Sequence, residues 1–93
     1  MINLESKLTR QVTIVNELGL HARSAAKIAK LAGRSKSPVW IQKGSAKADA
    51  SSILEILALE CEKDSNITIS IENKTDSDIL EAITKLVEGG FGE

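Results

Sequence analysis

The 93-residue chain has one cysteine, one histidine, one proline, two aromatic residues and no tyrosine. Each scarcity removes a class of function. Cys61 alone allows neither an internal disulfide nor a cysteine-rich metal site, and His21 alone leaves few ligands for zinc. Trp40 and Phe91 are too few to stack successive bases of a single strand, so nucleic acid is not an expected partner. No apolar run approaches the ~18 residues that a membrane-spanning helix needs, and Met1 to Arg10 contains no apolar core of signal-peptide length. No membrane insertion is expected, and a reducing, cytoplasmic setting fits. A chain this short buries only about 60% of its unfolded surface and cannot enclose a deep cavity. One domain over 1–93 is expected, with 1–7 a loosely ordered extension and with chemistry placed at a loop or a helix end.

A net charge of −1 conceals an uneven distribution. Residues 1–47 hold nine Lys or Arg against two Glu, whereas residues 48–93 hold three Lys against eleven acids. The first half can present a face that attracts anions or an acidic partner, and the two halves can also attract each other within the fold.

Residues 8–15 are β-branched and partly alternating, as in a strand, and Asn16-Glu17-Leu18-Gly19 reads as a turn. From Ala22 to Ala32 the chain is Ala-rich, and Ala22, Ala25, Ala26, Ala29 and Ala32 recur at helical spacing, so they predict a narrow face packed on a sheet. Gly33 is a suitable residue to follow the helix, and Lys27, Lys30 and Arg34 lie where its dipole favours cations. Val39–Lys43 and 46–49, joined at Lys43-Gly44, predict a hairpin. Ser52-Ile53-Leu54-Glu55 matches a capping box that opens a short helix. Ile67, Ile69 and Ile71 alternate with Thr68, Ser70 and Glu72 in a half-buried strand. Thr75-Asp76-Ser77-Asp78 then caps a last helix with the stripe Ile79, Leu80, Ile83, Leu86 and Val87, ended by Gly89-Gly90. The order β-α-β-β-α-β-α predicts an α+β fold, a two-layer open-faced sandwich. Its four-stranded, mainly antiparallel sheet would carry three helices on one face.

The segment most suited to chemistry is Gly19-Leu20-His21-Ala22-Arg23-Ser24. His21 follows a glycine turn and directly precedes the Ala-rich helix, where unpaired backbone N–H groups and the helix dipole stabilise an anion. The N–H groups of Ala22, Arg23 and Ser24, with the Arg23 guanidinium, would hold phosphate oxygens around a phosphorylated imidazole. On spacing alone, a lone His at a helix start is more often a solvated surface or capping residue. No second His and no carboxylate is placed by sequence beside it, which disfavours a hydrolase.

Gly-Leu-His-Ala-Arg after a first strand and before an Ala-rich helix resembles the histidine-containing phosphocarrier family HPr of the phosphoenolpyruvate-dependent sugar phosphotransferase system. The likeness extends over 8–93 through Lys43-Gly44, Ser51-Ser52-Ile53, Asn66-Ile67-Thr68-Ile69 and Gly89-Gly90-Phe91-Gly92-Glu93. The resemblance implies that His21 accepts a phosphoryl group on Nδ1 and that Arg23 assists. It implies Enzyme I as donor, and A-type sugar permease domains or regulators as acceptors. It also implies no metal or other cofactor, and a monomer that is a stoichiometric carrier rather than an enzyme. Docking would use Ala22, Ala26 and Lys30 on the first helix and Ile53, Leu54 and Leu57 on the second.

Two departures stand out. Ser24 replaces the proline common after the Arg, which should loosen the site slightly while supplying an N–H and a hydroxyl for the phosphate. Ser52 aligns with the serine that a dedicated kinase and phosphorylase modify in some members, but Glu55 stands where those members carry a small residue and would repel a phosphate. Ser52 is also readily explained as a helix cap. Cys61 and Trp40 carry no functional expectation. A paralogue in a regulatory phosphorelay, or a non-transferring interaction module on the same fold, are the alternatives; retention of His21 and Arg23 counts against the second.

Overall fold

The computed structural model describes residues 8–93; the expected loose extension, 1–7, lies outside the described residues. The strands are β1 (Thr9–Thr13), β2 (Val39–Lys43), β3 (Ala46–Asp49) and β4 (Asn66–Ile71), and the helices are α1 (Ala22–Ala32), α2 (Ile53–Ala58) and α3 (Ser77–Glu88). Short 3-10 turns occur at Lys74–Asp76 and Gly90–Gly92. The sheet order is β1-β4-β2-β3 and all three pairings are antiparallel. Alternation separates its faces. Val12, Val39, Ile41, Ala48, Ile67, Ile69 and Ile71 are buried with Ile28 of α1, Ile56 of α2 and Leu80, Ile83 and Val87 of α3. Gln11, Thr13, Gln42 and Lys47 are exposed on the open face. Trp40 is half-buried: its Nε1 donates to Glu72 Oε2 at 2.8 Å, and Lys47 Nζ stands 4.5 Å from its ring centroid. It is a surface contact. The expected α+β open-faced sandwich is therefore the observed fold, with a sheet that is wholly antiparallel.

Local details differ from the sequence expectations. β1 stops at Thr13, because Ile14 turns its N–H to Ser65 O and its carbonyl to Asp64 N, leaving the regular ladder. On α1 the buried residues are Ser24, Ala25, Ile28 and Ala32, while Ala22 and Ala26 are exposed. Ile28, with far more apolar area than any alanine, fixes which side turns inward. Gly33 keeps right-handed dihedrals (φ −64°), so its glycine freedom is unused there. The capping box at α2 is half formed. Ser52 Oγ accepts from Glu55 N at 3.2 Å, but the Glu55 carboxylate accepts from Asp49 N at 3.0 Å instead of returning to Ser52. Asp76 precedes α3 without capping it through its side chain; buried, it accepts the N–H groups of Lys36 and Ser37 at 2.9 and 3.0 Å and so anchors the α1–β2 loop.

Candidate functional site

His21 is the N-cap of α1, with extended backbone (φ −110°, ψ −176°). Gly19 makes this entry possible. Its φ of +64° lies in the left-handed region, and a Cβ there would run into the Cys61 carbonyl oxygen and Glu62 Cα. Gly19 N donates to Asn16 O at 3.1 Å and Leu20 N to Cys61 O at 2.8 Å, so the turn is pressed against the segment following α2.

Ser24 locks the turn from the other side. Its hydroxyl accepts from His21 N at 3.0 Å and lies 3.2 Å from the carbonyl oxygens of both Gly19 and His21. Fully buried, that hydroxyl is committed to the cap and unavailable to a ligand, contrary to the expectation of a loosened turn with a spare hydroxyl. Arg23 N donates to His21 Nδ1 at 3.3 Å, so imidazole and hydroxyl cap the helix reciprocally. The N–H groups of Ala22, Arg23 and Ser24 belong to the first turn, which has no i−4 acceptors of its own within the helix.

The other ring nitrogen, Nε2, lies 2.8 Å from Glu93 Oε2. Sequence spacing placed no carboxylate beside His21; the structure brings one from the far end of the chain. These two partners define the tautomer. The Arg23 N–H can only donate, so Nδ1 presents a lone pair, and Nε2 carries the proton it gives to Glu93. Glu93 is itself held. Its Oε1 accepts from Asn16 Nδ2 at 3.1 Å, and Arg23 Nε stands 3.6 Å from Oε2. Burial pushes the Glu93 carboxyl up. Hydrogen bonds from His21 and Asn16, with the positive charge of Arg23, more than reverse this and hold it below its ordinary value of 4.5.

Asn16 is buried and spends its amide hydrogens on Glu93 and on Gly19 O, the latter at 2.8 Å. Both partners are acceptors, which fixes the orientation of the amide. Phe91, 1% exposed and at φ +60°, pins the final turn into the core, and Lys27 Nζ donates to its carbonyl at 2.6 Å. Lys27, read from sequence as a dipole-compensating cation, thus clamps the segment that carries Glu93. The sequence reading missed Asn16 and Glu93 as site residues. The available signal was Phe91, a lone large apolar residue between glycines, which had to be buried somewhere.

Ala22, Ala26 and Lys30 are exposed along α1, as are Ile53 and Leu54 on α2, which packs against α1. Leu54 is 80% exposed and Leu57 half-buried, while Ile56 and Leu59 fill the core. Leu18, just before His21, is also exposed and was not foreseen. Ser52 is half-buried in its cap. Cys61 is buried; burial pushes its thiol up, only partly offset by Lys43. Among the described residues, no group of three or more His, Cys, Asp or Glu is placed to hold a metal ion, and no helix is long and apolar enough to cross a membrane.

Comparison with known proteins gives matches over nearly the whole chain. A family model described as "PTS HPr component phosphorylation site" matches residues 8–89. Phosphocarrier protein NPr of Shewanella violacea is 43% identical over 88 residues, which cover 95% of this chain and 97% of that protein. Phosphocarrier protein HPr of Neisseria meningitidis is 33% identical over 86 residues, 92% of this chain and 97% of that protein. Among solved structures, HPr-C-His from Thermoanaerobacter tengcongensis superposes with a TM-score of 0.85 at 32% identity, covering 91% of this chain and 96% of that one.

Proposed function

The chain belongs to the HPr phosphocarrier family, and from that premise we propose that His21 Nδ1 accepts a phosphoryl group from Enzyme I and passes it on. The observation that carries this reading is the division of labour on the imidazole. Nε2 is tied to a carboxylate at 2.8 Å, while Nδ1 faces the amino end of α1 and holds only the long Arg23 N–H contact of 3.3 Å, which the phosphoryl group displaces.

In the proposed step the Nδ1 lone pair attacks phosphorus, the bond from phosphorus to the donor atom breaks, and that atom keeps the electron pair. His21 keeps its proton on Nε2 throughout, so Glu93 faces the same N–H before and after transfer. The N–H groups of Ala22, Arg23 and Ser24 line the side on which phosphoryl oxygens arrive. Arg23, 68% exposed at its side chain, is free to swing from Glu93 to those oxygens. The reverse step delivers the group to an acceptor, an A-type sugar permease domain or a regulator. The protein acts as a stoichiometric carrier, with a phosphohistidine as its charged form. Docking of the protein partners is assigned to the exposed strip Ala22, Ala26, Lys30, Ile53 and Leu54, with Leu57 beneath it.

Ser52 is assigned to capping in this scheme. A phosphate there would need its hydroxyl freed from Glu55 N, with the Glu55 carboxylate close by in sequence. A regulatory phosphorelay in place of sugar transport is a second reading, supported by one relative named NPr at 43% identity against 33% to 35% for those named HPr and 35% for a second NPr.

The test is incubation with Enzyme I and phosphoenolpyruvate. The wild type is expected to gain an acid-labile, base-stable phosphate, and His21→Ala to gain none. Arg23→Ala should stay folded yet transfer about 10- to 100-fold more slowly, the loss expected for a charge-assisted contact. An unlabelled wild type, or equal labelling of His21→Ala, contradicts the reading.

A further inference from the structure

We propose that Glu93 is a positioning residue that selects the tautomer of His21 and thereby reserves Nδ1 for the phosphoryl group; the inference deepens the phosphocarrier reading and rests on it. Neutral imidazole in water samples both tautomers, and only the form with its proton on Nε2 offers a lone pair at Nδ1. The Arg23 N–H contact favours that form, but at 3.3 Å it is long for a hydrogen bond. The 2.8 Å contact between Nε2 and an ionised carboxylate is the stronger of the two, since a carboxylate can only accept.

Three observations show a built arrangement. Asn16, itself buried, directs an N–H at Glu93 Oε1, so the two carboxylate oxygens have different fixed partners. Lys27 clamps the Phe91 carbonyl two residues before Glu93. Phe91 is buried in a left-handed conformation that non-glycine residues adopt only when their surroundings impose it.

Arg23 gives the arrangement a second consequence. Its Nε rests 3.6 Å from Glu93 Oε2 in this unphosphorylated state, so the guanidinium is parked beside the ring. A phosphoryl group on Nδ1 then competes with Glu93 for the same cation.

The decisive variant is Glu93→Gln. It keeps shape and most packing, but an amide can donate to Nε2 as well as accept from it, which removes the selection. Nitrogen-15 NMR of the His21 ring, at a pH where it is neutral, is expected to show a wild-type ring protonated at Nε2 alone. Glu93→Gln should show both tautomers, or mainly Nδ1–H, and Enzyme I should label it about tenfold more slowly. Glu93→Ala, which leaves Nε2 to water, should also show both. A purely structural role would slow labelling, if at all, without moving the tautomer. A wild-type ring protonated at Nδ1, or variants that keep the Nε2–H ring and the wild-type labelling rate, overturns the proposal. The NMR measurement needs no transfer: a wild type that shows the Nε2–H ring but never labels refutes the carrier reading and, with it, the positioning role, while confirming the tautomer.

Discussion

A β-carbon at position 19 would meet backbone atoms of Cys61 and Glu62, which cannot step aside as a side chain can. Gly19→Ala also forces an L-residue to φ +64°. We expect this substitution to destabilise the protein by about 2 kcal/mol or more, read from urea unfolding; a change within about 0.5 kcal/mol, the range of ordinary surface substitutions, would contradict it. The carboxyl of Glu93 gives a pH prediction with a defined sign. Its folded value lies below 4.5, so the contribution of its links to His21 and Asn16 is complete above 4.5 and disappears as pH falls through the lower folded value. A carbon-13 titration of the Glu93 side chain should show a midpoint below 4.5, and one above it would refute the observed contacts. His21, Arg23 and Gly19 were legible in the sequence because they are neighbours on one turn. Glu93 and Asn16 were not, because their contacts link positions 72 and 77 residues apart.

The elements were legible where periodicity was strong. The alternation of β4 and the stripe of α3 emerge as read, with Leu80, Ile83 and Val87 buried and Ile79 and Leu86 at the margin. The Ala-rich α1 was misread in its facing, since alanines carry too little apolar area to decide orientation against one isoleucine. The outcome leaves Ala22 and Ala26 exposed, where a partner can approach the backbone closely. α2 is only six residues long, and its core contact is made by Ile56 and the adjoining Leu59, which leaves Leu54 projecting. Leu54→Asp should therefore change stability by less than about 1 kcal/mol while weakening Enzyme I docking, seen as a raised KM with little change in kcat. A large loss of stability, or an unchanged KM, would remove Leu54 from the docking surface.

At the scale of the molecule, the uneven charge distribution serves contacts within the fold. Arg10 meets Glu81 at 3.8 Å and Arg23 meets Glu93 at 3.6 Å, each a cation of the basic half on an acid of the acidic half, whereas Lys63 and Glu17, 2.9 Å apart, join the halves with the charges reversed. Such exposed pairs contribute little stability singly. The layer architecture followed from the element order, but the strand order β1-β4-β2-β3 did not, because local patterns do not say which strands lie side by side. That order sets β4 between β1 and β2, and the segments before and after the sheet strands bring Gly19, Cys61 and Glu93 together around His21. The most direct measurement is nitrogen-15 and phosphorus-31 NMR of the protein charged by Enzyme I and phosphoenolpyruvate, which locates the new N–P bond. The account predicts one phosphoryl group, on His21 Nδ1, with the proton retained on Nε2. A phosphoryl group on Nε2, on another residue, or on none would contradict it.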